Sequence, residues 1–381
     1  MKNLFQKDRI AKFRRTMLLT VGLSLAAASQ SLAATASAPE LKTEPTLPFT
    51  VTASGYHSVV KTPDGDVWYW GGMADVIDGK HTFRDNVPQL MDGLKDVADI
   101  QPYYQQELIL KKDGTVWNWG SEYKLTSAEN NDGTTQFPDP KQVAGLASIV
   151  KISAGSIASA IDKDGSVWVW HPSYYFSGPH KLKNITDAKD ISANGNGEVL
   201  ILRENGMVWK WIGYKDRNAN MDYNASKIEG LTDVTALSSG QGQQNFAIKK
   251  DGTVWGWGEN FGGMLGLPES AITVDPAEIK GLSDVSSIVT GLDRTLVLKT
   301  DGTLWVMGYD VGEYFYSLKH GPEWRRVEGL EKVTSMALGY NHAVAVTADG
   351  TVVAWGSNKA GQLGDASFKD SSTPIVLKAI Q

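Results

Sequence analysis

A chain of 381 residues with 41% hydrophobic and 21% charged side chains carries enough apolar material for a substantial core, which excludes global disorder. It has no cysteine, so disulfides, thiolate nucleophiles and cysteine-ligated zinc are excluded together. A formal net charge of −6 makes nucleic acid and anionic membrane surfaces poor partners, because both select basic patches.

The first stretch differs from the rest. Lys2, Lys7, Arg9, Lys12, Arg14 and Arg15 precede an apolar run from Met17 to Ala28, and Ser31-Leu32-Ala33 follows with small residues where a signal peptidase reads. A run of about 12 residues is short of the roughly 20 that cross a bilayer. Residues 1–33 are therefore expected to be a cleaved export signal, which places the protein outside the cell or on its surface. The pair Arg14-Arg15 also resembles a twin-arginine signal. Without residues 1–33 the net charge falls from −6 to −11, since they hold six Lys or Arg and one Asp. Residues 34–49 contain Pro39, Pro45 and Pro48 among small and polar residues and read as a linker.

From about Thr50 to residue 381 the chain repeats itself. Turn pairs recur at Asp64-Gly65, Asp113-Gly114, Asp164-Gly165, Asn205-Gly206, Asp251-Gly252, Asp301-Gly302 and Asp349-Gly350, spaced 41 to 51 residues apart. That period belongs to propellers and some helical arrays, and the abundance of tryptophan, 13 residues, decides for strands. Each pair is expected to centre a two-residue hairpin turn with φ > 0 at both positions. The next strand carries Trp-x-Trp in five units (Trp68/Trp70 to Trp255/Trp257), then Trp305/Met307 and Val353/Trp355. In the two-residue register Ile248 would lie opposite Trp255 and Phe246 opposite Trp257, all on one buried face. Lys61 breaks the apolar position three before the turn, and Pro63 suggests a longer loop that moves Val60 into its place.

A further strand closes each unit. An apolar residue stands near its end (Met91, Val143, Leu182, Ile228, Ile279, Val327, Leu377), and proline recurs before it at Pro88, Pro140, Pro179, Pro276 and Pro374. Proline cannot donate to a ladder, so this is the outermost strand. The expected fold is all-β: a seven-bladed β-propeller of four-stranded antiparallel blades, strands A to D, over residues 50–381. Either both chain ends form complete blades, or the last strand completes the N-terminal blade.

Trp257-Gly258-Glu259-Asn260 through Gly263-Met264-Leu265-Gly266, and Trp355-Gly356-Ser357-Asn358 through Gly361-Gln362-Leu363-Gly364, resemble the Trp-Gly-x-Asn…Gly-Gln-Leu-Gly element of the regulator of chromosome condensation repeat family. Gly55-Tyr56-His57 and Gly339-Tyr340-Asn341-His342 look like that family's Gly-x-x-His loop. The resemblance implies a seven-bladed propeller, in agreement with the repeat count. The family includes a nuclear guanine-nucleotide exchange factor and a secreted bacterial β-lactamase inhibitor protein. The second is the precedent that suits an exported chain and favours protein binding.

No residue pattern names a catalytic residue, a metal or a cofactor. His57 and His342 both stand seven residues before their Asp-Gly pair and read as structural repeat positions; the other four histidines show no zinc spacing. Ser58-Val59-Val60-Lys61 matches Ser-x-x-Lys but is a repeat strand without the accompanying motifs. Asn130-Asn131-Asp132-Gly133 reads as a polar loop. What the repeat does not explain lies in the A–B and C–D loops, which share one face in an up-and-down blade. Candidate binding residues there are Tyr103, Tyr104, Gln106, Tyr175, Tyr316 and Trp324, with Asp293 and Arg294 beside Gln106, Glu198 and Gln243 in the A–B loops around the channel. Tyrosine and tryptophan amid adaptable polar neighbours suit a protein or glycan surface. The expected function is a monomeric, exported binding module for a protein or a cell-surface polysaccharide. The alternative is an extracellular glycan-active enzyme with its site at the channel mouth.

Overall fold

The computed structural model describes residues 49–380 except 73–75, 78–79, 82–85, 92, 104–105, 121–139, 172–177, 214–221, 241, 261–262, 268–272, 292–293 and 309–322. They form seven four-stranded antiparallel sheets plus a small ribbon, Val76–Ile77 with Lys80–His81. Blade 1 runs Thr50–Ser54, His57–Lys61, Val67–Gly71 and Gln89–Leu90 from strand A to strand D; blade 7 runs Val333–Leu338, His342–Thr347, Val352–Gly356 and Ser371–Val376. Each sheet uses a contiguous piece of chain, so the two chain ends form complete blades and no strand is donated across the closure. Pro374 lies within strand D of blade 7 and Pro276 within that of blade 5, while Pro88, Pro140 and Pro179 directly precede theirs. The helical residues among those described are Gly263 and the 3-10 turn Lys378–Ile380, and among them no helix is long and apolar enough to cross a membrane.

The hairpin turns differ from the two-residue expectation. In blade 5, Gly252 N donates to Lys249 O and Lys249 N donates to Thr253 O, each at 2.9 Å, which encloses Lys250, Asp251 and Gly252 in the loop. Only the glycine takes a positive φ, +83°. This is a type I turn followed by a left-handed glycine, the standard three-residue hairpin loop. The extra residue shifts the register by one, and a shift of one moves every side chain to the other face. Ala247 is therefore opposite Trp255, Asn245 opposite Trp257, and Ile248 opposite Val254. Blade 1 uses the same loop, with Gly65 N on Thr62 O and Thr62 N on Asp66 O. Pro63 simply takes the second turn position, which its fixed φ suits. Lys61 stays in register opposite Val67 and is buried at 3% exposure, where desolvation pulls its ammonium down against the opposing pull of Asp99.

The corrected register divides the tryptophans by role. The second of each pair is core: Trp70, Trp170, Trp211, Trp257 and Trp355 are all buried, with only Trp119 left half-buried. The first is half-buried in every blade that has one, and in blades 2, 5 and 6 its position is fixed from the turn. There the Asp carboxylate accepts from the Thr hydroxyl, the Thr oxygen accepts the indole N–H, and the preceding Lys lies over the ring, as in Asp251–Thr253–Trp255–Lys249 and its equivalents at Trp117 and Trp305. Blade 3 has Asp162 where these blades have Lys. Its carboxylate takes the Trp168 indole N–H directly, and Lys181 from strand D supplies the cation.

Seven buried apolar clusters correspond to the seven blade interfaces. Burying a second tryptophan is worth up to about 5 kcal/mol, at about 25 cal/mol/Å² over roughly 200 Å². Val51, Val60 and Trp70 of blade 1 meet Val344, Val346, Ala354 and Leu363 of blade 7, so the ring is closed by packing. Backbone bonds reinforce neighbours: Val333 N donates to Gly302 O and Val234 N to Gly206 O, joining the start of one blade to the turn of the last. Space at these turns is unequal. A Cβ on Gly302 would lie 2.7 Å from Lys332 Cα, whereas one on Gly252 meets nothing within 4 Å. Gly252→Ala should cost only the left-handed backbone penalty, about 1–2 kcal/mol, and Gly302→Ala should cost clearly more. Equal denaturant midpoints for the two variants would contradict the close approach.

Candidate binding face

The A–B loop ends of the blades surround the mouth of the ring. At one repeat position strand B opens with His57, Gln106, Glu198, Gln244, Arg294 and His342, each paired with the last residue of a strand C except Gln244, which pairs with the second-last, Gly258. Gln106, Glu198 and Arg294 thus begin strands rather than sit in loops. Three of these residues reach the following position of strand B in the next blade. His342 Nε2 contacts Ser58 Oγ at 2.7 Å across the closure, His57 Nε2 contacts Glu107 Oε1 at 2.6 Å, and Asn245 Nδ2 donates to Glu198 Oε1 at 3.2 Å. Residue types alone do not reveal such a rule; the repeat offset does, because a side chain on one blade face meets the opposite face of the neighbour.

These contacts differ in exposure and charge. Ser58 and His342 are wholly buried. Desolvation holds the His342 imidazole down to about 3, with further opposition from His57 and Arg294. A serine–histidine pair at this distance has the geometry of a nucleophile and base, but buried completely it serves the closure. Trp70 Nε1 on Gln362 O at 2.8 Å and Tyr340 N on Gly55 O at 2.8 Å complete that seam. The Gly-Gln-Leu-Gly segment is a cap. Asn358 Oδ1 accepts from Leu363 N, Leu363 is fully buried, and a Cβ on Gly364 would lie 2.8 Å from the Trp70 ring. Asn260 and Leu265 repeat the arrangement in blade 5.

Among the described residues two groups of side chains remain at the mouth. Tyr56 and Tyr340 pack edge to face at 5.4 Å, each half-buried. Across blades 4 and 5, exposed Asn196 donates to exposed Gln243 at 2.8 Å, and Gly195 N donates to Gly240 O. The sequence reading missed the tyrosine pair, although the Gly-Tyr step common to Gly55-Tyr56-His57 and Gly339-Tyr340-Asn341-His342 carries its signal.

Of the sequence candidates, Tyr103 and Gln106 are backbone register partners, the last residue of strand A and the first of strand B in blade 2. Tyr104, Tyr175, Asp293 and Tyr316 lie outside the described residues. Trp324 is half-buried against the cluster of blades 5 and 6 that contains Phe246, Leu265 and Val297. Arg294 is 1% exposed, so it supports the inner wall beneath the mouth.

A seven-bladed propeller with a packed closure and Asn-braced Gly-x-Leu-Gly caps defines the class of protein. The model of the regulator of chromosome condensation (RCC1) repeat matches residues 251–298 and 333–362, the stretches that contain the clearest repeat features. These two stretches are RCC1 repeats by their match, and the chain as a whole is similar to proteins of that family. Relatives include the mouse E3 ubiquitin-protein ligase HERC2, 28% identical over 83% of this chain and 7% of that protein, and the mitochondrial RCC1 domain-containing protein RUG3 of Arabidopsis thaliana, 26% identical over 70% of this chain and 55% of that protein. The chain thus spans a small part of the first of these relatives and about half of the second. Among solved structures, human WBSCR16 aligns with a TM-score of 0.64 at 17% identity, over 82% of this chain and 94% of that one. Yeast RCC1 (Prp20), solved bound to Kap60, aligns with a TM-score of 0.64 at 19% identity, over 93% and 90%.

Proposed function

We propose that this propeller is an exported protein-binding module whose partner docks on the face formed by the A–B and C–D loops. The observation that carries the reading is a division of labour. Repeat positions are consumed by blade packing, turns and the closure, whereas the Tyr56–Tyr340 pair and the Asn196–Gln243 pair stand at the mouth outside that packing. Loops on a rigid scaffold are where binding residues concentrate. By their place in the repeat we assign Tyr103, Tyr104, Gln106, Tyr175, Tyr316, Trp324 and Asp293 to the same face, with buried Arg294 beneath it. Structures of yeast RCC1 (Prp20) bound to Kap60, and of Prp20p described with binding to Gsp1p and histones, give precedents for protein recognition on this fold. The basic N-terminal segment followed by an apolar run and Ser31-Leu32-Ala33 supports export.

The test is capture from the native extracellular milieu followed by substitution. Alanine at Tyr56, Tyr340 and Trp324 should weaken the captured partner while the melting temperature moves little. Capture of a cell-surface polysaccharide in place of any protein, or undiminished binding by the triple variant, would reject the reading.

A further inference from the structure

The seams between blades are unequal, and the loosest lies between blades 1 and 2 rather than at the closure. At six seams strand B runs close along strand A of the next blade, but from blade 1 to blade 2 that approach is largely missing. In blades 2, 3, 4 and 6 the turn glycine carbonyl accepts from the first residue of the next blade, as Gly114 O does from Ile149 N. Among the described residues Gly65 of blade 1 takes no such bond from Val97, and a Cβ on it would meet nothing within 4 Å. Blade 5 shares that gap at Gly252 but keeps Ile248 packed against Val285 and Ile288 of blade 6.

The side chains follow the backbone. The residue three before the turn is apolar and buried in blades 2 to 7, from Leu110 to Val346, and is Lys61 in blade 1. Lysine is rarely buried unless paired. Asp99 of blade 2 attracts Lys61 from a distance, while its own oxygens are taken by Ile100 N at 2.8 Å and the Gln101 amide at 3.3 Å. Trp119 of blade 2 packs into this seam and is the one second tryptophan left half-buried. The polar contact that remains, His57 with Glu107 at 2.6 Å, stands at the mouth end of strand B, opposite the end that holds Lys61 and Gly65. The closure is better joined. Ser58 with His342, Trp70 with Gln362 O, and the cluster from Val51 to Leu363 fix blade 1 on blade 7.

We propose that the ring opens between blades 1 and 2, from the Asp-Gly end, with the His57–Glu107 contact as pivot and blade 1 carried on blade 7. Stability in a repeat array is close to a sum over neighbouring interfaces, so the weakest interface opens below the free energy of global unfolding. The motion leaves each sheet whole, keeps Tyr56 on Tyr340, and tilts that pair against blade 2. The opening is independent of what docks on the loop face.

The chain has no cysteine, so single substitutions to cysteine report each seam without background. Val59 and Val344 hold the same repeat position and are both wholly buried, one in the seam with blade 2 and the other in the closure. Below the global unfolding transition, Val59→Cys should react with a thiol reagent at least about tenfold faster than Val344→Cys. Lys61→Leu, which restores the apolar residue of the other blades, should slow labelling of Val59→Cys towards the Val344→Cys rate, a gain in protection that misfolding cannot produce. Lys61→Met, which keeps the stem and removes the charge, should do the same. Equal rates for the two cysteine variants, faster labelling of Val344→Cys, or a Val59→Cys rate indifferent to both Lys61 substitutions would overturn the proposal.

Discussion

Trp257→Ala should lower stability by about 3–5 kcal/mol, the usual cost of a large aromatic lost from a core. Trp257 is 6% exposed and packs with Leu200, Leu202, Val208, Leu231 and Ala247 between blades 4 and 5. No chain segment can move in to fill the void, because both sides are rigid sheets. The denaturant midpoint should fall with an unchanged slope. Trp324→Ala should cost far less, since that ring is half-buried at the margin of its cluster. Small and equal midpoint shifts for the two variants would contradict the division between repeat and loop aromatics.

The second large effect is an acid dependence at the ring closure. His342 is wholly buried, and its imidazole is held at about 3 against an ordinary value of 6.5. Between these values the unfolded chain binds the proton and the folded chain does not. The His342 contribution is therefore complete above pH 6.5 and declines as pH falls towards 3, by about 1.4 kcal/mol per pH unit. His342→Gln keeps a polar partner for Ser58 and removes the titration. Its stability should lie below that of the parent at neutral pH, and the two curves should converge on acidification. Asp99 and Glu198, both pushed up by burial, titrate equally in the two proteins and cancel in the difference. Parallel curves from pH 7 to 4 would show that His342 does not carry the linkage.

The architecture was legible because it is written seven times. Asp-Gly pairs, Trp-x-Trp strands and the apolar residue ending strand D recur at fixed offsets, and averaging over copies overcomes the weakness of any one signal. Met91, Val143, Leu182, Ile228, Ile279, Val327 and Leu377 all donate their backbone N–H to a strand C carbonyl, as a repeat-wide role requires. The register was not legible, because Asp-Gly serves both two- and three-residue hairpin loops and only the hydrogen bonds distinguish them. That single residue decided that Trp255 is half-buried while Phe246 and Ile248 face the next blade. The polar contacts between blades are likewise hidden from residue types alone and follow only from the repeat offset. They join residues 47, 50 and 284 positions apart, and the closure between first and last blades has no local signature. For the binding face the sequence identified the loops by their variability, but variability cannot say which side chains point outwards.

Hydrogen exchange on the propeller with a captured partner bound tests the central claim most directly. The account predicts slowed exchange at the A–B loop residues 55–56, 194–197, 242–243 and 339–341, with the Asp-Gly turns at 64–65, 251–252 and 301–302 unchanged. Protection confined to those turns, with the A–B loops exchanging as in the free protein, would place the partner on the opposite face and contradict it.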